Sequence, residues 1–293
     1  MSDTESTLTR RQLGRYLKAA REEAGLTLTE AGREMDWSKS RLQRHEAGEV
    51  AKIRRPDLEL LISIYRIDER QASYLRGLAD QAPEKSWWHE FGHVLPEDFR
   101  VYVDMESAAR VITTYQPDLV PGLLQTRPYA RMLAHTAHPD EGESMLDGRL
   151  ELRARRQRRI THNRRPPQLN MLVAETVLRR RIGGDKIMAD QLKHLADTST
   201  LDNVTLRVLP FSAGMPTGDQ IGAFVVIDFE LDGRGQPAAP TTVYCEGYSS
   251  DMYSEKPDVV ERYLTAYRDL QRAALDEGSS RKLVRDIAKE YTA

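Results

Sequence analysis

Residues 13–48 read LGRYLKAAREEAGLTLTEAGREMDWSKSRLQRHEAG, and this stretch decides the fold of the N-terminal part of the chain. Leu13, Leu17, Ala20 and Ala24 recur at helical spacing along one face, and Gly25 stands where a left-handed cap closes such a helix. Thr27 and Glu30 have the spacing of a capping box, in which each side chain bonds the other's orphan backbone N–H, so a second helix opens there. About two turns later Met35-Asp36-Trp37 interrupts it, and Ser38 is an N-cap for a third. Two helices that meet at a steep angle need a small residue where they cross, a turn residue that accepts positive φ, and apolar side chains in the angle. Gly32 is the small residue, Asp36 the turn residue, and Ala31, Met35, Trp37 and Leu42 fill the angle. The pattern predicts a helix-turn-helix.

From Leu13 to about Ala79 the chain resembles the Xre (phage-repressor-like) family of helix-turn-helix domains. The matching residues are the LG..LK..RE.AGLT start, WSKSRLQRHEAG and PDLELLISIYRID. The resemblance implies an all-α, lambda-repressor-like bundle of five helices over residues 9–80, with double-stranded DNA as its partner. In such a domain the third helix lies in the major groove and its N-terminal residues meet base edges. Carried over residue by residue, the readers are Lys39, Ser40 and Arg44 behind the Ser38 cap, with Arg41 on a neighbouring face. Arg and Lys commonly pair with guanine acceptors, so G-containing half-sites are expected. The family usually has Gln where this chain has Leu28, which removes a phosphate-contacting amide. It usually has an aliphatic residue where this chain has His45, which predicts a semi-buried histidine. Lys52, Arg54 and Arg55 follow in the loop before Pro56 and suit phosphate contact. Between Ser38 and Arg55 there are six Lys/Arg against two acids, Glu46 and Glu49. A solvated helix in a bundle that binds protein is the competing reading; the coincidence of cap, turn and basic loop favours DNA.

A formal net charge of −2 over 293 residues excludes a uniformly basic coat, so DNA affinity has to be local and steeply salt-sensitive. The length suits two domains. No apolar run is long enough to span a bilayer, and Met1–Arg10 lacks the apolar region of an export signal, so a cytoplasmic protein is expected. The single cysteine, Cys245, lies in the strand-like run Thr241–Glu246, where a small buried apolar role is expected rather than a nucleophile.

Beyond a polar linker at 81–86 the texture changes. Helices are expected at Glu97–Ala109, Pro128–Ala137 and Ser144–Ile160, and around Ile187, Gln191, Leu192 and Leu195. Another should start at Pro257, with Val260, Tyr263, Leu264, Tyr267 and Leu270 inward. Strands are expected at Val111–Tyr115, at Leu169/Met171/Val173, at Val204/Leu206/Val208, at Ala223–Phe229 and at Thr241–Glu246, with Gly233–Pro240 a loop. Strands interleaved with helices indicate a mixed α/β (α+β) domain over 87–293. This region resembles the C-terminal domain of actinobacterial, antitoxin-like Xre regulators through WWHEFGHVLPEDF, YQPDLVPGLLQTRPYARML, LNMLVAETVLRRRIGG and NVTLRVLPFSAGMPTG. That implies a regulatory or dimerisation domain, often encoded beside a small partner protein, and leaves open any small-molecule effector.

Two further patterns carry chemistry. His89-Glu90-Phe91-Gly92-His93 spells HExxH, which on a helix holds Zn²⁺ between two imidazoles with Glu as general base; Glu106 is a third-ligand candidate for a zinc peptidase. Gly92 and Pro96 leave little helix to hold such ligands, so a chance match, no metal and no enzyme activity are expected. Between Arg149 and Arg165 eight arginines face one acid, Glu151. They form an anion pocket or a second nucleic-acid surface, or they snorkel over the core and pair with acids such as Glu106 or Glu175; the second reading is favoured. No phosphate-cradling glycine loop is present, so no cofactor is expected. One short recognition helix covers few base pairs, so a homodimer is expected.

Overall fold

The computed structural model describes residues 8–50, 52–81, 87–161, 165–229, 231, 237, 239–248 and 250–292. The chain divides into two units, Met1–His89 with Leu231–Ala239, and Glu90–Glu230 with Pro240–Ala293.

In the first unit five helices follow one another: α1 (Leu8–Glu23), α2 (Leu28–Glu34), α3 (Lys39–Glu46), α4 (Arg55–Ile64) and α5 (Glu69–Gln81). Each boundary has a local cause. Gly25 closes α1 with φ of 72°. Thr27 and Glu30 form the expected capping box on α2. Asp36 turns the chain with φ of 53°, and Ser38 caps α3 by accepting from the Arg41 N–H. Pro56 sits in the first turn of α4, where its missing N–H costs nothing. Leu13, Leu17, Ala31, Met35, Trp37, Leu42, Leu58, Leu61 and Leu75 gather into one core. The residues expected to fill the α2–α3 angle are all in it. Arg55 is a correction: it is the first residue of α4, with Arg54 as its N-cap, rather than part of the preceding loop.

The second unit is built on a six-stranded sheet in the order β3-β2-β1-β4-β5-β6. The strands are β1 (Ala109–Gln116), β2 (Gln168–Ala174), β3 (Val204–Leu209), β4 (Phe224–Phe229), β5 (Thr242–Cys245) and β6 (Met252–Ser254). The first three run parallel and the others join antiparallel, so Ile112 faces Leu169 on one side and Ile227 on the other. The helices are α6 (Glu97–Ser107), α7 (Arg127–Ala137), α8 (Glu143–Thr161), α9 (Glu175–Arg179), α10 (Asp185–Thr198), α11 (Pro257–Ala273) and α12 (Glu277–Glu290). Tyr115, Leu172, Phe224, Val226 and Val243 pack against Val260, Tyr267 and Leu270 of α11. Leu169, Met171 and Val173 of β2 alternate onto the opposite face and are just as buried. Burial of both faces is what a parallel sheet requires, and it replaces the one-sided alternation expected for β2. The edge of β3 is closed by the start of α12: Leu275 N–H donates to the Val208 carbonyl and Ser280 Oγ accepts from Val208 N–H. Ala109, expected to end a helix, begins β1. The expected linker beyond Gln81 and most of the Gly233–Pro240 loop lie outside the described residues.

Candidate nucleic-acid interface

The third helix has one face held and one face open. Leu42 and Glu46 are buried, whereas Ser38, Lys39, Ser40, Arg41, Gln43 and Arg44 are exposed. The held face is fixed by a bidentate pair: Arg21 of α1 donates through Nε and Nη2 to the Glu46 carboxylate at 2.7 and 3.0 Å. Both side chains are nearly sealed, at 7% and 5% exposed. Arg21 also donates through Nη1 to the Leu26 carbonyl at 2.7 Å, so one guanidinium ties the α1–α2 connection to the end of α3. Gly14 completes the clamp. A Cβ there would stand 2.3 Å from the Glu46 carbonyl oxygen, so only glycine lets α1 lie this close to α3. Gly32 has the role expected of it, with a Cβ position 2.9 Å from the Trp37 carbonyl oxygen. Sequence reasoning counted Glu46 only as a surface acid and gave Gly14 and Arg21 no role. The signal was available as a charged residue on the apolar face of each helix, Arg21 beside Leu17 and Glu46 one turn after Leu42.

The expected readers differ in what already holds them. Ser38 accepts the capping bond through Oγ at 3.2 Å. The Arg41 guanidinium lies over the Trp37 ring, 4.0 Å from its centroid, and reaches Asp57 at 3.5 Å. Arg44 makes an exposed pair with Glu49 at 3.5 Å, and Arg54 a bidentate one with Asp57 at 2.9 and 3.2 Å. Exposed pairs of this kind are weak and exchange readily for phosphate or base acceptors. Lys39, Lys52 and Arg55 make no ion pair among the described residues. Lys52, Arg54, Arg55, Arg76 and Asp80 line a groove of about 350 Å³ beside α4. Arg76, which the sequence reading did not single out, is held there by Glu59 and Glu69. His45 is semi-buried as expected and stacks on Trp37 with centroids 4.6 Å apart. Burial, with Arg41 adding repulsion, brings its imidazolium down to about 4.

In the second unit the arginine run is mostly spoken for. Arg156 and Glu106 form a second sealed bidentate pair, 2.8 and 2.7 Å, with Phe99 and Tyr102 against the guanidinium. Arg149 pairs with Glu141, Arg155 with Glu90, and Arg158 with Glu151. Glu106 is thus a partner, as the pairing reading expected. Glu175 is not: it accepts from Arg179, one turn later on its own helix, and from the Phe211 N–H. Cys245 is half-buried, its thiol pushed up by burial, 3.4 Å from the Tyr263 hydroxyl. The HExxH residues do not share an α-helix. Trp87–Phe91 is a 3-10 turn, and His93 falls in the turn after it, near Gly148 of α8. The His89 side chain lies outside the described residues. Among the described residues no three His, Cys, Asp or Glu side chains are placed to hold a metal ion, and no helix is long and apolar enough to cross a membrane.

Comparison with known families gives two matches. Residues 12–75 match a helix-turn-helix domain, and residues 99–286 match a domain of unknown function, DUF5753. No curated protein and no solved structure matches the chain. The helix-turn-helix match points to a DNA-binding regulator.

Proposed function

We infer a sequence-specific transcription regulator from one premise: the chain belongs to the DUF5753 family and carries a helix-turn-helix domain ahead of its family domain. The observation that carries the reading is the division of α3 into a face locked by Arg21–Glu46 and a face that offers Lys39, Ser40 and Arg44 to solvent. A rod held that firmly presents its side chains in one geometry, which base readout demands. Lys52, Arg54 and Arg55 bind phosphate beside it and set the register. Two copies are needed to cover an operator, so the protein acts as a homodimer of Xre type on paired, G-containing half-sites. The second domain dimerises, senses an effector or docks a small protein, and has no catalytic role. The pairing of Glu90 with Arg155, and a 3-10 turn where a zinc-binding helix belongs, count against the zinc-peptidase alternative.

The test separates reading from holding. Arg44→Ala should cost about 1–3 kcal/mol on the preferred site and relax the preference at one base position. Lys52→Ala should weaken all duplexes about equally and lower the salt slope by about one. Mobility shifts over a salt series, on a selected site and on scrambled duplexes, measure both. Equal losses with unchanged preference in the two variants would remove Arg44 as a reader, and no duplex binding by the full chain would sink the function.

A further inference from the structure

The inward face of α8 carries more positive charge than its surroundings neutralise. Arg156 is matched by Glu106. Arg153, one turn earlier on the same face, makes no ion pair among the described residues; its partner there is the neutral Gln125 Oε1, 2.6 Å from Nη1. A guanidinium offers five N–H donors, so most of its hydrogen-bonding capacity is unspent. Desolvation, reinforced by the adjacent Arg156, brings Arg153 down to about 10, the mark of a charge held where little stabilises it. Glu246, exposed just after β5, makes no ion pair with either guanidinium among the described residues; partial desolvation and Asp251 push its carboxyl up, and the charges of Arg153 and Arg156 oppose that rise.

The seat of Arg153 is built. A Cβ on Gly122 would stand 3.0 Å from Arg153 Nη1, so the guanidinium lies as close to the turn as glycine allows and would shift by a few tenths of an ångström for any larger residue. Gln125 is oriented by donating to the Val120 carbonyl at 2.7 Å. Gln157 of α8 donates to the carbonyls of Gly122 and Gln125. From α10, Gln191 donates to the Leu124 carbonyl and accepts from Thr126. The VPGLLQT turn is thereby clamped between two helices, and its Gln125 amide holds Arg153 in place without neutralising it. Arg153 is only partly buried, so solvent reaches it.

We propose that Arg153, seated on the turn from Gly122 to Gln125, anchors a binding site for a small oxyanion, the carboxylate or phosphate group of an effector molecule. Arginine suits this chemistry because its planar fork matches two oxygens at once. The proposal rests on the sensing reading of the second domain and gives it a ligand class. Half-burial fits the terminal group of a small molecule better than a polymer backbone, which needs a row of exposed cations.

The experiment uses the full chain without DNA, titrated at constant ionic strength with inorganic phosphate and, separately, with succinate. Thermal midpoint is followed, together with phenylglyoxal labelling mapped by mass spectrometry. A saturable rise in midpoint is expected with at least one probe, and the probe that works tells phosphate from carboxylate. That probe should protect Arg153 from labelling while the exposed Arg158 stays reactive. Arg153→Gln should abolish the saturable response, and Glu246→Gln, by removing a facing negative charge, should lower the half-saturating concentration several-fold. No saturable response to either anion, equal labelling of Arg153 with and without them, the same titration in Arg153→Gln, or no gain in Glu246→Gln would each overturn the site. If Arg153→Gln fails to fold, labelling of the unaltered chain and the Glu246→Gln titration decide the matter. Because DNA is absent, failure here leaves the duplex-binding reading untouched, and loss of duplex binding leaves this site untouched.

Discussion

Two sealed arginine–glutamate pairs, one in each unit, are close to identical in geometry and opposite in surroundings. Arg21–Glu46 spans α1 and α3, and the excess cations near it (Lys39, Arg44, Lys52, Arg55) stand out in solvent. Arg156–Glu106 spans α8 and α6, and the excess cations near it, Arg153 and Arg159, are turned partly inward; Arg159 has its Nε buried with no acceptor. Placement of surplus charge, more than its amount, selects the partner. Cations in solvent meet a polyanion that stays hydrated, and cations drawn inward favour an anion small enough to follow them.

Removing the acid from each pair is the sharpest way to break this contrast. Glu46→Gln should cost about 3–5 kcal/mol, because the guanidinium stays buried without its counter-charge. Glu106→Gln should cost more, since Arg153 and Arg159 then repel Arg156 with only the unpaired Glu246 against them. Urea unfolding of the full chain, with a probe in each unit, measures the two losses, and equal values would erase the distinction. A smaller effect is expected from acid. His45 is neutral when folded down to about pH 4, whereas the unfolded imidazole takes its proton near 6.5. Below 6.5 the unfolded state therefore binds more protons, and stability of the first unit falls between pH 6.5 and 4 by at most about 3–4 kcal/mol. His45→Gln should flatten that decline, measured as urea midpoints at pH 7 and pH 5; an unchanged slope would place the acid sensitivity elsewhere. Gly14→Ala comes next. A methyl pressed on the Glu46 carbonyl should cost about 1–3 kcal/mol and, by tilting α3, weaken duplex binding as well. Smallest is Ser38→Ala, about 1 kcal/mol for a lost cap, with base preference retained.

The first unit was legible because its devices are local. Thr27 with Glu30, Asp36 in the turn and Ser38 at the cap each act within three or four residues, and all stand where spacing put them. The clamp on α3 was legible only in part: the apolar face of each helix carries a charge, but Arg21 and Glu46 are 25 positions apart and spacing does not say that the two will meet. The same limit explains Glu175, a reasonable partner by charge that a short helix carries to Arg179. In the second unit the helices and strands with strong periodicity were found, but α9, β6 and α12 were not. α12 is capped by Asp276, yet its placement depends on Ser280 reaching Val208 in a strand 72 positions earlier. VPGLLQT stood out as a motif with no chemistry attached. Its meaning lies in Gly122 making room for an arginine on another helix, a relation that sequence order conceals.

The sheet order has a consequence for how the molecule comes into being. Thr114 on β1 meets Phe224 on β4 across 110 positions, so the middle of the sheet waits for more than a hundred further residues to leave the ribosome. The five leading helices wait less: Gln12 on α1 donates to the Tyr74 hydroxyl on α5 across 62 positions. A nascent molecule therefore has its five leading helices in place well before its second half has shape, and the interval between the two is set by translation speed.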